Sequence, residues 1–315
     1  MRTPEPLPEP LTVLPFTVGD ADALGISRRR LRNGKVVSIG RGLRSAKRSP
    51  SGAELAGAVS RVTSFSAASH ETAGAIWQFP HYSCDVAAII HISRPEGKPA
   101  VRRPGVVGHE CKMYADEVTT VDEVNVTTRE RTWLDLAARL AVHDLVVIAD
   151  HLIRIPRPNL EGRSEPHSTL ERLQDMINRH AGKRGVRRAR EALALARIGA
   201  DSPPETLLRL AIVDAGLPEP KLNVPITDEA GNEHHQPDLS YPEYRVGIEY
   251  EGSGHSDPEQ VARDIARAER YGRLGWDEVR ISKRHMLNDA KAAVAKIRSV
   301  LVAAGWRPSP KSTLQ

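Results

Sequence analysis

Between Gln236 and Gly252 the chain alternates acids with apolar residues at the period of a β-strand, and this constrains its fold more than any other stretch. Gln236-Pro237-Asp238-Leu239-Ser240 and Val246-Gly247-Ile248-Glu249-Tyr250-Glu251-Gly252 read as two short strands joined by a tight turn around Pro242. Strand side chains alternate between faces. Val246, Ile248 and Tyr250 therefore share one side, and Gly247, Glu249 and Glu251 the other. If Tyr241 and Tyr244 flank a two-residue turn, Asp238 lies opposite Gly247, one diagonal step from Glu249 and on its face. Clustered carboxylates repel, and a hard divalent cation such as Mg²⁺ is the natural charge to set among them. The competing reading is a solvated polar face on an edge hairpin.

The surroundings add candidates. Ser202-Pro203-Pro204-Glu205 has the S-x-x-E form of a capping box at a helix start. Glu205 can serve that helix end, a metal site, or both. Beyond the hairpin come Gly254-His255 and a helix opened by Asp257 and Pro258. Arg263, Arg267 and Arg270 fall on one face of that helix, and Val261, Ile265 and Ala268 are expected to pack on the other. Gly275-Trp276, a strand Glu278–Ser282 and a helix from about Asn288 to Ala304 follow. His255 is open between a phosphate contact, a proton carrier and a strand end. Asp264 and Arg267 can also form a plain surface pair.

This ordered set resembles the Vsr-like endonucleases of the PD-(D/E)XK restriction-endonuclease-like superfamily, over roughly Ser202 to Trp306. The positions carrying the resemblance are Glu205, Asp238, Glu249, Glu251, His255, Asp264, Arg267 and Gly275-Trp276. It implies a C-terminal α/β domain that hydrolyses DNA phosphodiesters with Mg²⁺ or Mn²⁺. In such chemistry the metal polarises a phosphoryl oxygen and lowers the pKa of its water. The implied ligands are Asp238 and Glu249, with Glu251, Glu205 and His255 as further catalytic candidates. The superfamily often has Lys where Glu251 stands, so Arg280, Lys283 or His255 would have to supply the missing positive charge. The rival reading is a nuclease fold that does not cut.

Net charge is +5, but its placement says more. From Ser27 to Arg48 there are nine basic residues and no acid. Such a patch attracts phosphate backbones irrespective of sequence. Thr17 leads into a helix reaching Leu24, Ser27 caps a second helix through Leu31, and Val36–Leu43 reads as a two-stranded wing with a Gly turn. That is the plan of a winged helix-turn-helix, with Arg28, Arg29, Arg32, Arg41 and Arg44 set against double-stranded DNA; a basic, solvated helix is the alternative. Arg263 and Arg267 would extend the contact beside the acidic hairpin.

The segment is similar to the N-terminal domain of AbiEi-like type IV antitoxins, and Thr128-x-x-Arg131-Thr132-x-x-Asp135-Leu136 matches a signature of that family. The likeness implies operator binding and a toxin or defence-system partner. In the middle region, Val86–Ile92 and Val124–Thr128 look like strands, the second followed by Arg129 to Arg139. His70-Glu71, His109-Glu110-Cys111 and His143-Asp144 have no zinc-like spacing and read as structural or surface residues.

Two cysteines, Cys84 and Cys111, make no disulfide framework and suggest a reducing compartment. The Pro-rich start lacks a basic leader followed by an apolar core, and no apolar run approaches a membrane span. A cytoplasmic protein with no membrane partner is expected. The fold class expected is α/β multidomain. It comprises a flexible tail (1–12), a winged helix-turn-helix (13–50), a mixed α/β region (51–165), a helical linker (166–201), a restriction-endonuclease-like domain (202–307) and a second tail (308–315).

Overall fold

A computed structural model describes residues 6–32, 36–47, 49–82, 89–157, 161–228, 230–251 and 258–308, the side chains of 258–265 excepted. His255, Gly254, Asp257, Lys35, Arg48, Cys84 and Val86–Ala88 lie outside the described residues, as do the side chains of Val261, Arg263, Asp264 and Ile265. The protein is mixed α/β with several sheets. Among the described residues no helix is long and apolar enough to cross a membrane.

The chain divides into two compact units, residues 1–148 with 168–193, and residues 149–167 with 194–315. This departs from a single linker over 166–201. The helix Leu170–Arg179 belongs to the first unit, where Arg179 forms a two-pronged pair with Asp116 at 2.8 Å and His180 Nε2 lies 2.7 Å from Glu117. Leu173, Met176 and Ile177 are buried, as helical spacing predicts. The next helix, Val186–Leu195, is preceded by Gly185, whose positive φ and contact with the Ala137–Ala138 backbone leave no room for a side chain.

In the first unit Thr17 caps a short helix, Val18–Ala23, through a reciprocal capping box with Asp20. The second helix expected over Ser27–Leu31 is not α-helical. Ser27 Oγ does accept from the Arg30 amide at 3.3 Å, but only a single 3-10 turn, Arg30–Arg32, follows. Val37–Gly40 and Leu43–Ser45 form the expected hairpin, and Phe16–Thr17 adds a third strand to it. A six-stranded sheet comes next. Its spatial order is Arg102–Arg103, Val106–Cys111, Ile90–Pro95, Ala67–Ala68, Val124–Thr127 and Val118–Val121. Ile90 and Ile92 turn one face to an apolar core with Ala56, Val59, Ala73 and Val126.

The T-x-x-R-T-x-x-D-L residues have structural roles here. Thr128 caps the helix Arg129–Leu136, Thr132 bonds back to the Thr127 carbonyl at 3.0 Å, and Arg131 and Asp135 are fully buried partners at 2.9 Å.

In the second unit a four-stranded sheet runs Lys221–Leu222, Leu239–Tyr241, Val246–Glu251, Asp277–Ser282. The first three strands are antiparallel, and the fourth is parallel to the third. Helix Pro258–Leu274 connects those last two strands. Alternation sends Leu239, Tyr241, Val246, Ile248, Val279 and Ile281 to one face. There they meet Leu208 and Ile212 of helix Pro203–Asp214, and Ala293, Ile297 and Leu301 of helix Lys291–Ala303.

Two expectations about this sheet are corrected. The hairpin connection spans four residues, a 3-10 turn Pro242–Tyr244 and then Arg245 in the left-handed region, so Tyr241 pairs with Val246 rather than Tyr244. Ser240, not Asp238, lies opposite Gly247. The two-residue displacement preserves the faces and, continued one step, sets Asp238 directly across from Glu249. The helix after the hairpin is also turned the other way. Ala268 is exposed, while Arg267 and Arg270 are half-buried and Tyr271 is buried.

Tyr271 packs against Gly247, where a Cβ would collide with its hydroxyl and ring. Gly247→Ala is therefore expected to destabilise the second unit by about 1–3 kcal/mol, the usual cost of overpacking. A urea melt showing an unchanged midpoint would reject this contact.

Candidate active site

The acidic face of the second sheet holds two groups of carboxylates with different partners. Glu251 and Glu278 are neutralised inside the protein. Arg267 Nε lies 2.7 Å from Glu278 and its Nη2 3.7 Å from Glu251. Arg280 stands 3.1 Å from Glu278 and 3.5 Å from Glu251. The positive charge expected among the acids is thus partly supplied by two guanidinium groups. Arg267 points into this face, where Glu251 and Glu278 hold it, rather than outward with the helix stripe.

The other group is Asp238, Glu249, Glu205 and Asp201. Asp238 stands at the entry of the strand Leu239–Tyr241, its carbonyl accepting from the Asn223 amide at 3.1 Å. Its Oδ2 accepts from the Tyr250 amide at 2.7 Å. Burial pushes the carboxyl up to about 7, and the charges of Glu205, Glu249 and Asp201 add to the push against that one hydrogen bond. Among the described residues no cationic side chain pairs with Asp238 or Glu205.

Glu205 is buried at the third position of helix Pro203–Asp214. It accepts from the Asp201 amide at 2.8 Å and from Ser202 Oγ at 2.6 Å. Burial nonetheless holds its carboxyl above the ordinary range. Glu205 therefore binds polar groups at the helix start while its charge is felt at Asp238, and Ser202 Oγ bonds Glu205 rather than capping the helix amides. Asp201 is tied to Arg154 at 3.4 Å and to Arg157.

Glu249 is buried, and one of its oxygens accepts twice, from Tyr271 Oη at 2.8 Å and from His235 Nε2 at 2.6 Å. Burial and the Glu249 charge keep the Tyr271 hydroxyl protonated. His235 and Tyr271 are the residues that sequence reasoning missed. His235 sits on a separate ribbon, Ile226–Thr227 with Glu233–His235. Tyr271 follows Arg267 by one helical turn, and its place opposite a glycine was the only available signal.

A hard cation bound by Asp238 and Glu249 would find oxygen donors on two paired strands, with the Glu205 charge felt at Asp238. Glu251 contributes to the same face, but its arginine partners already compensate it. Arg280 is the positive group beside the acids, while Lys283 is exposed. In the first unit Arg28, Arg29, Arg32 and Arg41 are exposed, with Arg28 3.5 Å from Asp22. Arg44 is drawn back onto its own hairpin, donating to the Leu43 carbonyl at 2.8 Å and to Ser38 Oγ at 3.1 Å.

Comparison with known proteins finds two Mycobacterium tuberculosis sequences, "Uncharacterized protein MT2308" and "Uncharacterized protein Rv2248", each 36% identical over 110 residues. The match takes in 35% of this chain and 40% of each relative's length. No protein-family model matches the chain, and no solved structure matches it.

Proposed function

We propose that this chain is a divalent-metal-dependent DNA endonuclease, with the active site on the acidic face of the second unit. Asp238 and Glu249 hold Mg²⁺ or Mn²⁺, Glu205 adds negative charge to the site, and the metal activates water against a phosphodiester. The observation that carries this reading is that Asp238 and Glu205 have no cationic partner among the described residues, beside Glu249 and where an antiparallel hairpin meets a parallel strand. A purely structural acidic face would be expected to pair its charges, as Glu251 and Glu278 do. The exposed arginines of the first unit, Arg28, Arg29, Arg32 and Arg41, hold the duplex by phosphate contact.

A plasmid-nicking assay tests the chemistry. Metal-dependent cleavage by the wild type should disappear in Asp238→Ala and Glu249→Ala, at least 100-fold down in rate. DNA binding itself is tested by Arg28→Ala with Arg32→Ala. The expected result is weaker affinity at 100 mM salt and a salt dependence shallower by roughly one to two phosphate contacts. An unchanged affinity and slope would reject the placement of DNA on this segment.

One observation favours a second reading, an antitoxin-like transcriptional regulator with a toxin or defence-system partner. Arg267 and Arg280 already neutralise Glu251, which leaves that acid little free charge for a metal. Tight operator binding that survives both alanine substitutions, with no cleavage on any substrate, decides for the regulator.

A further inference from the structure

The six-stranded sheet of the first unit brings together three histidines that are distant in sequence. In the parallel pair of Ile90–Pro95 with Val106–Cys111, Ser93 lies beside His109 and His91 beside Val107. Period-two alternation places His91, Ser93 and His109 on the same face, opposite to Ile90 and Ile92 and away from the apolar core. On the other side Ala67 and Ala68 pair with Ser93 and Ile92, and the Ser69 amide bonds the His91 carbonyl at 3.0 Å. The chain then turns at once into the helix His70–Ile76. His70 begins that helix with a φ of 49°, a conformation costly for a residue with a side chain. It brings the ring to the other two, stacked on His109 with centroids 3.9 Å apart.

The nitrogens converge. His91 Nδ1 lies 3.0 Å from His109 Nε2, and one nitrogen from each of the three rings falls within 4.8 Å of the others. Two imidazole nitrogens on one tetrahedral zinc stand about 3.3 Å apart. The outward nitrogens have polar neighbours of the kind that orient metal-binding imidazoles. His91 Nε2 is 3.2 Å from a Glu71 carboxylate oxygen, and Arg139 holds the other Glu71 oxygen at 3.0 Å. His70 Nδ1 is 3.0 Å from Ser69 Oγ, which in turn accepts from Ser93 Oγ at 2.7 Å. A proton on His70 Nδ1 leaves Nε2 as a lone-pair donor.

We propose that His70, His91 and His109 bind one Zn²⁺ ion, with Glu71 and Ser69 orienting the rings and a fourth coordination position open to solvent. The opening is a cavity of about 590 Å³, lined by His70 and His109 together with Asp135, Cys111, Lys183 and Arg139. Asp135 on its wall is fully buried, with one oxygen bound by Arg131 and Lys183 and its Oδ2 unpartnered. That oxygen can accept a hydrogen bond from a water or ligand held in the cavity. Three histidines with an open position form the donor set of a zinc ion that keeps an exchangeable water. The pairs His70-Glu71 and His109-Glu110, which sequence spacing assigns to the structure or surface, become ligand-bearing once the strands bring in His91.

The test is a competition titration of the full-length protein, stripped with a chelator, against a chromophoric zinc indicator. The wild type should take up one tight equivalent of Zn²⁺. His91→Ala and His109→Asn should each weaken it at least 100-fold, and Glu71→Gln by about 10–100-fold. His109 is half-buried, and circular dichroism should show that its Asn variant keeps the wild-type fold. Substituting Co²⁺ should give visible bands of four- or five-coordinate geometry that His109→Asn abolishes. Asp238→Ala should leave the tight equivalent intact, which separates this site from the acidic one. The proposal fails if folded His109→Asn binds zinc as the wild type does, or if the tight equivalent is lost with Asp238 instead.

Discussion

Asp238→Asn is expected to abolish metal-dependent cleavage and, in the absence of metal, to make the protein more stable at pH 8. The two effects have one origin. An aspartate ordinarily titrates near 3.8, and here burial and three neighbouring acids raise that to about 7. Below about pH 4 the carboxyl is protonated in both the folded and the unfolded chain, and the shift costs nothing. Between about pH 4 and pH 7 the unfolded chain ionises freely while the folded chain resists. Stability therefore falls as pH rises through that window, and the loss is complete above about pH 7. One pKa unit corresponds to about 1.4 kcal/mol. Asp238 is half-buried, so solvent screening reduces the full shift to a cost of about 1–4 kcal/mol.

Asparagine keeps the acceptor for the Tyr250 amide and removes the charge. In EDTA its melting temperature should exceed that of the wild type at pH 8 and converge with it near pH 4. Millimolar Mg²⁺ should stabilise the wild type at pH 8 by occupying the site, and leave the asparagine variant unmoved. A variant less stable than the wild type in EDTA at pH 8 would show that the Asp238 charge is compensated, and the metal-site reading would lose its main support.

The largest stability effect is expected in the first unit. Arg131→Met should cost about 3–5 kcal/mol, the range seen when one partner of a buried ion pair is removed. Arg131 is fully buried. It donates to Asp135 at 2.9 Å, to Glu117, to the Lys112 carbonyl at 2.9 Å and to Cys111 Sγ at 3.1 Å. Burial alone would raise the Asp135 carboxyl, but Arg131, and after it Lys183 and His70, pull it below the usual range. Methionine fills much of the volume and leaves two buried carboxylates short of a cation. The triple variant Arg131→Met, Glu117→Gln, Asp135→Asn should recover a good part of the loss, because neutral groups tolerate burial better than unpaired charges. Chemical denaturation of the three proteins reads both numbers. A loss below about 1 kcal/mol for the single variant would mean that the network is solvated.

Asp238 and Glu249 stood out because strand alternation is local and survives an error in the turn. The turn is four residues rather than two, yet a shift of two keeps every side chain on its face. Helix orientation was not legible in the same way. Arg263, Arg267 and Arg270 form a stripe that reads as a solvent-facing basic surface, but Glu251 and Glu278 draw Arg267 inward, and Gly247 makes room for Tyr271. The helix expected from Ser27 failed because a cap specifies where a helix starts, not that it continues. Gly25 and Ser27 shape the turn, and only one 3-10 turn follows.

Composition, periodicity and motif spacing by themselves determined a mixed α/β chain, the acidic hairpin with its apolar reverse and the concentration of arginines near the start. Each of these depends on neighbours within a few residues, where side-chain direction follows directly from backbone period. The tertiary structure alone decided which acids are paired and which are left short of charge, that His235 and Tyr271 share a Glu249 oxygen, and that His70, His91 and His109 meet. Those facts depend on strand order and register between segments far apart in the chain. No local pattern encodes them, because pairing partners are chosen by the packing of the whole unit.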